Sequence, residues 1–284
     1  MGSEHLHDGG FLRVASAEGV CVHSGRLSRV AVVPGQGDGI RFFGPGGHGG
    51  PIEELQPAPS ERCTALLLPG GGRIAMVEHL LAAFSILGTG GADVFVEGSE
   101  IPILDGSSLP WLKLLRQAGY GPSRGRRPLA VVRPFSFVTG GSRYAAWPGP
   151  RSVTVTVSYP GTSVGRQTAT AGGGHIEHLA AARTFAFESE VEMMRKAGLA
   201  AGGSLQNALV IGDRGPINPG GYRFPDEPAR HKALDLLGDL MLAGTVIKGR
   251  IEAFRPGHAG NRAFLSALLE SAALGEACED FAAA

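Results

Sequence analysis

The segment His231-Lys232-Ala233-Leu234-Asp235-Leu236-Leu237-Gly238-Asp239 is the most informative part of this chain. His231, Asp235 and Asp239 are four residues apart, so on a helix they lie on one face. The leucines cover the neighbouring face and predict contact with a core. We therefore expect a helix over residues 227–243. A histidine and a carboxylate one turn apart can supply two ligands to one zinc ion; a solvated polar face is the alternative.

A second polar pair occurs in the segment Val77-Glu78-His79-Leu80-Leu81. Its neighbours are apolar, and they predict a helix over residues 74–87 with Gly88 as its C-terminal stop. A buried glutamate is costly unless it is paired, so Glu78 needs a partner or a function. The alternative is a satisfied pair at the edge of a core. The run that begins at Glu78 also resembles the one that begins at His231, which is a weak indication of an internal repeat.

Similar elements recur on both sides of residues 121–128, a run of turn formers and charges without an apolar period. This run is the best candidate for a linker. Further strands and helices are predicted at residues 11–33, 93–97, 108–118, 129–138, 152–159, 175–182, 188–197 and 260–273. The glycine-rich stretches 34–60 and 161–174 predict irregular loops. Strands followed by helices in each half predict an α+β fold with two domains, 1–122 and 123–284, rather than an alternating βαβ sheet.

Composition restricts the class of protein. Of the 284 residues, 43% are hydrophobic, which is enough for a sizeable core and excludes disorder or a fibrous structure. The 26 basic residues balance 26 acidic ones, which argues against a nucleic-acid partner. Cys21, Cys63 and Cys278 are too scattered for a disulfide framework or a thiolate metal site. With no signal peptide and no apolar run long enough for a membrane helix, we expect a cytoplasmic protein.

Two further segments carry candidate catalytic groups. In Pro256-Gly257-His258-Ala259-Gly260-Asn261, a histidine lies between glycines at a loop-to-helix junction, where it could act as a general acid. In Arg183-Thr184-Phe185-Ala186-Phe187, the threonine hydroxyl could donate to a developing oxyanion, and the phenylalanines could wall an apolar pocket. A structural histidine and a strand edge with an aromatic core are the alternatives.

Taken together, the segments form a stronger signal than any of them alone. The ordered motifs are Val22-His23-Ser24-Gly25, Val77-Glu78-His79-Leu80, Glu100-Ile101-Pro102-Ile103-Leu104-Asp105-Gly106-Ser107, Ala182-Arg183-Thr184-Phe185, Gly202-Gly203-Ser204-Leu205-Gln206-Asn207-Ala208, Arg223-Phe224, Asp226-Glu227, Arg230-His231-Lys232 and Gly257-His258-Ala259-Gly260-Asn261. Across nearly the whole chain this series resembles the UDP-3-O-acyl-N-acetylglucosamine deacetylase family, the zinc amidases that commit cells to lipid A synthesis. So many motifs in the same order are not expected by chance.

The resemblance implies a catalytic site with one Zn²⁺ per chain. His79, His231 and Asp235 correspond to the three ligands, which leaves a fourth position for water. Glu78 corresponds to the general base. The remaining catalytic positions are His258 as the cationic or acid partner, Asp239 as the residue that orients it, and Thr184 and Lys232 as stabilisers of the oxyanion. The sequence leaves open whether Glu78 alone handles both protons or shares them with His258.

The resemblance also implies two similar β-α-α-β domains packed face to face, with the active site at their interface. Glu78 and His79 would come from the first domain, and His231, Asp235 and His258 from the second. An insert in the second domain is expected to form an apolar passage for a fatty acyl chain, lined by Phe185, Val191, Ala200, Gly203 and Leu205.

The nucleotide region departs from the family pattern, because this chain has Ser158-Tyr159-Pro160-Gly161 there. In that region Tyr159 could stack on uracil, and Arg143 could meet a phosphate.

We therefore predict zinc-dependent hydrolysis of the N-acetyl group of UDP-3-O-(3-hydroxyacyl)-N-acetylglucosamine, with release of acetate, as the committed step of lipid A biosynthesis. This acylated UDP-sugar is the expected partner. A monomer is expected because no heptad repeat or long edge strand indicates otherwise. Two alternatives stay open at this point. One is a related deacetylase that acts on a different N-acyl sugar, and the other is a non-catalytic relative that binds acylated sugar nucleotides.

Overall fold

A computed structural model describes residues 6–7, 10–11, 13–35, 38–60, 62–122 and 126–277. Residues 123–125 of the predicted linker and Cys278 lie outside the described residues. The predicted domain boundary between residues 122 and 123 adjoins this gap and stays a prediction. Among the described residues, none of the helices combines the length and the apolar character needed to span a bilayer.

In the part of the chain that the structure describes, both halves contain strands and α-helices, two helices in the first half and three in the second. The first half consists of β1 (Leu6–His7), β2 (Gly10–Phe11), β3 (Ala15–Val20), β4 (Leu27–Pro34), β5 (Gly39–Phe43), β6 (Gly49–Pro51), β7 (Ala65–Leu67), β8 (Arg73–Ala75), α1 (Glu78–Leu87), β9 (Gly91–Val96) and α2 (Leu109–Gln117). The second half consists of β10 (Leu129–Val131), β11 (Phe135–Thr139), β12 (Ser142–Trp147), β13 (Ser152–Tyr159), β14 (Gly165–Gly172), β15 (Phe185–Phe187), α3 (Glu188–Lys196), β16 (Leu209–Gly212), β17 (Gly215–Pro216), α4 (Glu227–Leu240), β18 (Ile247–Lys248), β19 (Arg250–Phe254), α5 (His258–Glu270) and β20 (Leu274–Glu276).

Each half has one five-stranded sheet, and the two sheets have the same topology. The order is β3-β4-β9-β5-β6 in the first and β11-β12-β19-β13-β14 in the second. In both sheets the third and fourth strands of this order are parallel and all other neighbours are antiparallel. The central strand, β9 or β19, runs between two helices in the chain. The faint repeat in the sequence therefore corresponds to a repeat in topology.

The sheets bury one face against helices. On β13, Val153, Val155 and Val157 are buried, whereas Thr154 lies on the other face and contacts Thr170 of β14 at 3.0 Å. This alternation is typical of a sheet with one solvated face. Helices α1 and α2 pack in the first half, α4 and α5 pack in the second, and α1 contacts α4. The predicted α+β class is confirmed.

A glycine allows α1 and α4 to cross closely. A Cβ atom on Gly238 would lie 2.1 Å from the carbonyl oxygen of Glu78, so no side chain fits at this crossing. Gly238 lies on the helix that carries His231 and Asp235, and Glu78 begins the helix that carries His79. The crossing therefore brings the N-terminal end of α1 against the polar face of α4.

The two glycine-rich stretches are not irregular loops, and those two predictions are wrong. Residues 34–60 contain β5 and β6, and Ile40 and Phe42 of β5 are fully buried. A Cβ on Gly49 would lie 1.8 Å from the carbonyl oxygen of Phe42, so this glycine permits close strand approach rather than a loop. Residues 161–174 contain β14, whose Ala169 is also buried.

Helix α1 starts later than predicted. Residues Arg73–Ala75 form β8, and Met76 adopts a left-handed φ of 61°, which a helix does not contain. The helix therefore begins at Glu78 and ends, as predicted, before Gly88 in the left-handed conformation. The segment predicted as a helix over residues 175–182 is a 3₁₀ helix over Gly173–Ala181.

Candidate metal centre and catalytic cleft

The candidate metal ligands come from the two crossing helices. His79 is the second residue of α1, and His231 and Asp235 lie one turn apart on α4. The Oδ1 atom of Asp235 is 3.2 Å from Nε2 of His231 and 3.8 Å from Nε2 of His79. One potential ligand atom from each residue lies within 4.8 Å of the others. Ligand atoms of a tetrahedral zinc are about 3.3 Å apart, so these three side chains are close enough to share one ion.

The chemistry of this donor set fits a metal ion. Oδ1 of Asp235 is buried and has no hydrogen-bond partner among the described residues. Nδ1 of His231 is 3.1 Å from the carbonyl oxygen of Ala182, a contact that directs Nε2 towards the cluster. Burial, with the charge of neighbouring His231, lowers the pKa of His79 to about 3, so its imidazole is neutral. Metal ions bind the neutral form of histidine.

The aspartate is in the complementary state. Burial opposes the ionisation of Asp235, but nearby His231 and Lys232 hold the pKa of its carboxyl well below its usual value. Nζ of Lys232 donates a hydrogen bond of 2.6 Å to Oδ2. An ionised carboxylate beside the neutral imidazole of His79 is the form in which these side chains coordinate a cation.

Two proton-handling groups lie beside this cluster. Oε1 of Glu78 is 3.9 Å from Nε2 of His258, and both residues are buried. Burial raises the pKa of Glu78 to about 7, although the charge of His258 opposes the rise. Burial disfavours the charged form of His258, but the carboxylates of Asp239, Asp235 and Glu78 raise its pKa to about 9. A carboxylate that can take up a proton thus faces an imidazolium that can give one.

The orientation of His258 is determined by a carboxylate behind it. Nδ1 of His258 is 2.9 Å from Oδ2 of Asp239, which lies one turn beyond Asp235 on α4. Asp239 is completely buried. An imidazole held in this way keeps its Nε2 atom directed towards the cleft.

Further predicted residues line the same cleft, a cavity of about 250 Å³. These further residues are Lys232, Thr184, Phe185 and Tyr159. The walls of the cleft also contain Glu78, His79, His231, Asp235 and His258. The ring of Tyr159 packs edge-on against Phe185 with 5.8 Å between the centroids. Nζ of Lys232 is 5.7 Å from the Phe185 ring centre. The cleft thus combines charged groups with an aromatic wall.

A larger cavity of about 630 Å³ adjoins this cleft. Its walls contain all five residues predicted for the acyl passage, namely Phe185, Val191, Ala200, Gly203 and Leu205. The two cavities share part of their walls and therefore adjoin each other. The shared wall residues are Arg62, Thr184, Phe185 and Ala186. Arg143, in contrast, is exposed on β12 and lines neither cavity. Its contact with a phosphate stays a prediction.

Thr64, which lies outside all the predicted site motifs, contacts three of the predicted catalytic residues, namely Glu78, Asp239 and His258. Its backbone N–H donates to Oε2 of Glu78 at 2.9 Å, and its hydroxyl donates to Oδ1 of Asp239 at 2.5 Å. No motif surrounds Thr64, and Asp239 is 175 residues away, so only tertiary contact reveals it. Asn261, whose amide donates to Oδ2 of Asp239 at 2.8 Å, does belong to a motif noted in the sequence.

A buried ion pair supports the cleft from behind. Glu227, at the start of α4, accepts hydrogen bonds of 2.8 and 3.0 Å from the guanidinium of Arg183, the residue before Thr184. The backbone N–H groups of Arg183 and Arg223 also donate to this carboxylate. Burial opposes its ionisation, but these hydrogen bonds hold the pKa of Glu227 below its usual value. The pair ties the Thr184 segment to the helix that carries the ligands.

Fold and site together define a class of protein. It is an α+β protein with a repeated sheet topology and a buried cluster of two histidines and an aspartate that can hold a metal ion beside an apolar cavity. Residues 12–270 match the family described as UDP-3-O-acyl N-acetylglycosamine deacetylase, LpxC. The chain belongs to this family.

Similar proteins come from several bacteria, and each of the three that follow is named UDP-3-O-acyl-N-acetylglucosamine deacetylase. A protein of Neisseria meningitidis serogroup C is 36% identical over 268 residues, which cover 89% of this chain and 87% of the relative. One from Phenylobacterium zucineum is 38% identical over 261 residues, which cover 88% of this chain and 89% of the relative. One from a Geobacter species is 36% identical over 272 residues, which cover 90% of this chain and 87% of the relative.

Proposed function

We propose that this protein is a zinc-dependent hydrolase that removes the N-acetyl group from UDP-3-O-(3-hydroxyacyl)-N-acetylglucosamine in lipid A biosynthesis. The observation that carries the proposal is that the cleft around the ligand cluster and the apolar cavity have Thr184 and Phe185 as common wall residues. A substrate with an acetamido group and a fatty acyl chain on neighbouring sugar atoms requires a polar reactive site beside an apolar passage. Membership of the family and the names of the relatives support this substrate.

The metal would be held by His79, His231 and Asp235. When bound, zinc supplies a Lewis acid that makes water more acidic and polarises the amide carbonyl. The neutral imidazole of His79 and the ionised carboxylate of Asp235 support this assignment, as does the unpartnered Oδ1 atom of Asp235.

Glu78 and His258 would handle the protons. Glu78 accepts a proton from the attacking water while the water oxygen bonds to the amide carbon. His258, oriented by Asp239, stabilises the negative charge that develops on the reacting group. When the carbon–nitrogen bond breaks, the sugar nitrogen takes a proton from Glu78 or His258, and acetate and the free amine leave. The facing positions of the two side chains are compatible with either donor.

The other residues of the cleft would bind and stabilise. Lys232 and Thr184 are proposed to donate to the carbonyl oxygen as it becomes negative. Tyr159 is proposed to stack on uracil and Arg143 to meet a phosphate. The acyl chain would occupy the larger cavity, whose lining is mainly apolar and therefore suits a hydrocarbon.

We also propose that residues 1–122 and 123–284 are two domains with the site between them. The repeated strand order and the contact between α1 and α4 support this division. The monomeric state and the cytoplasmic location stay predictions.

The experiment that tests the function is acetate release from UDP-3-O-(3-hydroxyacyl)-N-acetylglucosamine by metal-stripped and by zinc-restored protein. We expect activity to vanish on stripping and to return with about one equivalent of zinc. Binding of one zinc without acetate release would support the metal site and overturn the substrate. A panel of other N-acyl sugars would then distinguish a related deacetylase from a non-catalytic relative.

A further inference from the structure

We propose that Thr64 is a positioning residue that holds the two proton-handling groups, Glu78 and His258, in register with each other. This inference rests on the proposed function for its catalytic meaning, but the contacts that carry it are independent of the substrate. Thr64 is completely buried and lines neither cavity, so it acts only through other residues.

The backbone of Thr64 is connected to the start of α1. Its N–H donates to Oε2 of Glu78 at 2.9 Å, and its carbonyl oxygen accepts a hydrogen bond of 3.3 Å from the N–H of Val77. The position of the Glu78 carboxylate therefore depends on the strand that Thr64 precedes. Oε1 of the same carboxylate remains directed towards His258.

The side chain of Thr64 is connected to the other proton-handling group. Its hydroxyl donates to Oδ1 of Asp239 at 2.5 Å, while Oδ2 of Asp239 contacts Nδ1 of His258 at 2.9 Å. Nη1 of Arg262 donates to the hydroxyl oxygen at 3.5 Å. The hydroxyl therefore accepts from Arg262 and donates its own hydrogen to Asp239. The hydroxyl oxygen also lies 3.4 Å from Nδ1 of His258. One residue thus restrains the base directly, and it restrains the histidine mainly through the Asp239 carboxylate.

The carboxylate of Asp239 has three different donors. Besides Thr64 and His258, the amide of Asn261 donates to Oδ2 at 2.8 Å, and the Tyr144 hydroxyl in turn donates to Asn261 at 2.9 Å. Of these three donors, only Thr64 contacts Oδ1, whereas His258 and Asn261 both contact Oδ2. Loss of the Thr64 hydroxyl would therefore free one edge of the carboxylate to rotate and carry His258 with it.

The test compares Thr64→Val with Thr64→Ser. Valine keeps the backbone N–H and the branched shape but removes the hydroxyl, and serine restores the hydroxyl. For Thr64→Val we expect kcat to fall roughly 10- to 100-fold, the range for losing a hydrogen bond to a charged group. KM and the zinc content should stay unchanged, because Thr64 touches neither substrate nor ligands. Thr64→Ser should recover most of kcat.

A second readout needs no substrate. The Nδ1 proton of His258 in its hydrogen bond to Asp239 should give a downfield proton NMR signal in protein with isotope-labelled histidine. His258→Gln identifies this signal by its loss. We expect Thr64→Val to shift the signal or to broaden it through faster exchange with water, and Thr64→Ser to leave it in place.

Three outcomes would overturn the proposal: a kcat for Thr64→Val within about two-fold of the wild type, an equal loss in the valine and serine variants, or an unchanged NMR signal in Thr64→Val. If wild-type protein with zinc releases no acetate, the proposed function fails, and the NMR comparison alone then decides whether Thr64 positions His258. A fold-wide loss of signals in Thr64→Val, with Thr64→Ser unaltered, would assign the hydroxyl to stability rather than to positioning and would also overturn the proposal.

Discussion

The two halves of the molecule have sheets of the same topology, but they differ in what precedes the helix that carries the candidate metal-ligand residues, α1 in one half and α4 in the other. In the first half, the short hairpin β7–β8 leads into α1. In the second half, β15, α3, β16 and β17 lie between the sheet strand β14 and α4, and this insert forms much of the large apolar cavity. The repeated sheets and helices therefore carry the candidate reactive groups, whereas the unrepeated insert provides the apolar cavity proposed for the acyl chain.

The two helices that meet at the site also contribute differently. Helix α1 supplies its first two residues, Glu78 and His79, and the rest of its length is mostly apolar and buried. Helix α4 supplies three successive turns with His231, Asp235 and Asp239. One helix end therefore meets one helix face at the site.

Removing a ligand from the helix face should abolish metal binding. Asp235→Ala leaves two histidines from different helices, and we expect its zinc content to fall from about one equivalent to a small fraction, with activity at background. Metal analysis of identically purified proteins checks this. Full zinc occupancy in the variant would remove Asp235 from the ligand set.

Changing the helix end should separate chemistry from metal binding. Glu78→Gln keeps the size of the side chain but cannot accept a proton, so we expect kcat to fall by about 10²- to 10⁴-fold while zinc is retained. Glu97→Gln, at an exposed carboxylate just after β9, is the matched control and should have wild-type turnover. Near-normal turnover of Glu78→Gln would contradict its role as a base.

Breaking the ion pair behind the cleft should destabilise the fold. Arg183→Met leaves the Glu227 carboxylate buried without its guanidinium partner, and we expect a loss of about 3–5 kcal/mol in the free energy of unfolding. Arg29→Met, which breaks an exposed pair with Glu18, should cost less than about 1 kcal/mol. Denaturant titration measures the free energy of unfolding of both variants. Equal losses would mean that the buried pair contributes no more to stability than the exposed pair.

The same pair predicts a pH dependence. Because the pKa of Glu227 is lowered in the folded protein, its stabilising contribution is complete above the unfolded value of 4.5 and is lost as the pH falls through the lower folded value. The difference in the free energy of unfolding between wild type and Arg183→Met should therefore be constant near neutral pH and become smaller in acid. Unfolding curves at several pH values would show whether it does.

Filling the helix crossing should disturb the alignment of the two helices. Gly238→Ala places a Cβ against the Glu78 backbone, and we expect a destabilisation of about 1–3 kcal/mol together with reduced kcat. Gly174→Ala is a control, since a Cβ there meets nothing within 4 Å. Unaltered stability and turnover in Gly238→Ala would mean that the helices can separate without consequence.

Altering the insert should change only substrate preference. Val191→Trp fills part of the large cavity, and we expect kcat/KM to fall about 10-fold for a long acyl chain and little for a short one. Met193→Trp, on the same helix but 59% exposed and outside the cavity, is the control. An equal loss for long and short chains would contradict the assignment of this cavity to the acyl group.

Much of the local structure could be predicted from the sequence. The helices around Leu109–Gln117, Glu188–Lys196 and Glu227–Leu240 follow from apolar periodicity and glycine stops. The glycine-rich strands β5, β6 and β14 could not be predicted, because glycine in a strand that lies close to another backbone looks the same as glycine in a loop. In the hairpin Phe42–Gly49, the close approach of the two strands gives the glycine its role.

Several features of the site follow from local sequence alone: a histidine and two carboxylates on one face of α4, a Glu-His pair at the start of α1, and a motif series that matches one family. The packing of distant segments makes the two helices cross at Gly238, places Thr64 between Glu78 and Asp239, and leaves Arg143 outside the walls of both cavities. The reason is physical, because spacing along a helix is a local property. Contacts between residues more than a hundred positions apart depend on how whole sheets and helices pack.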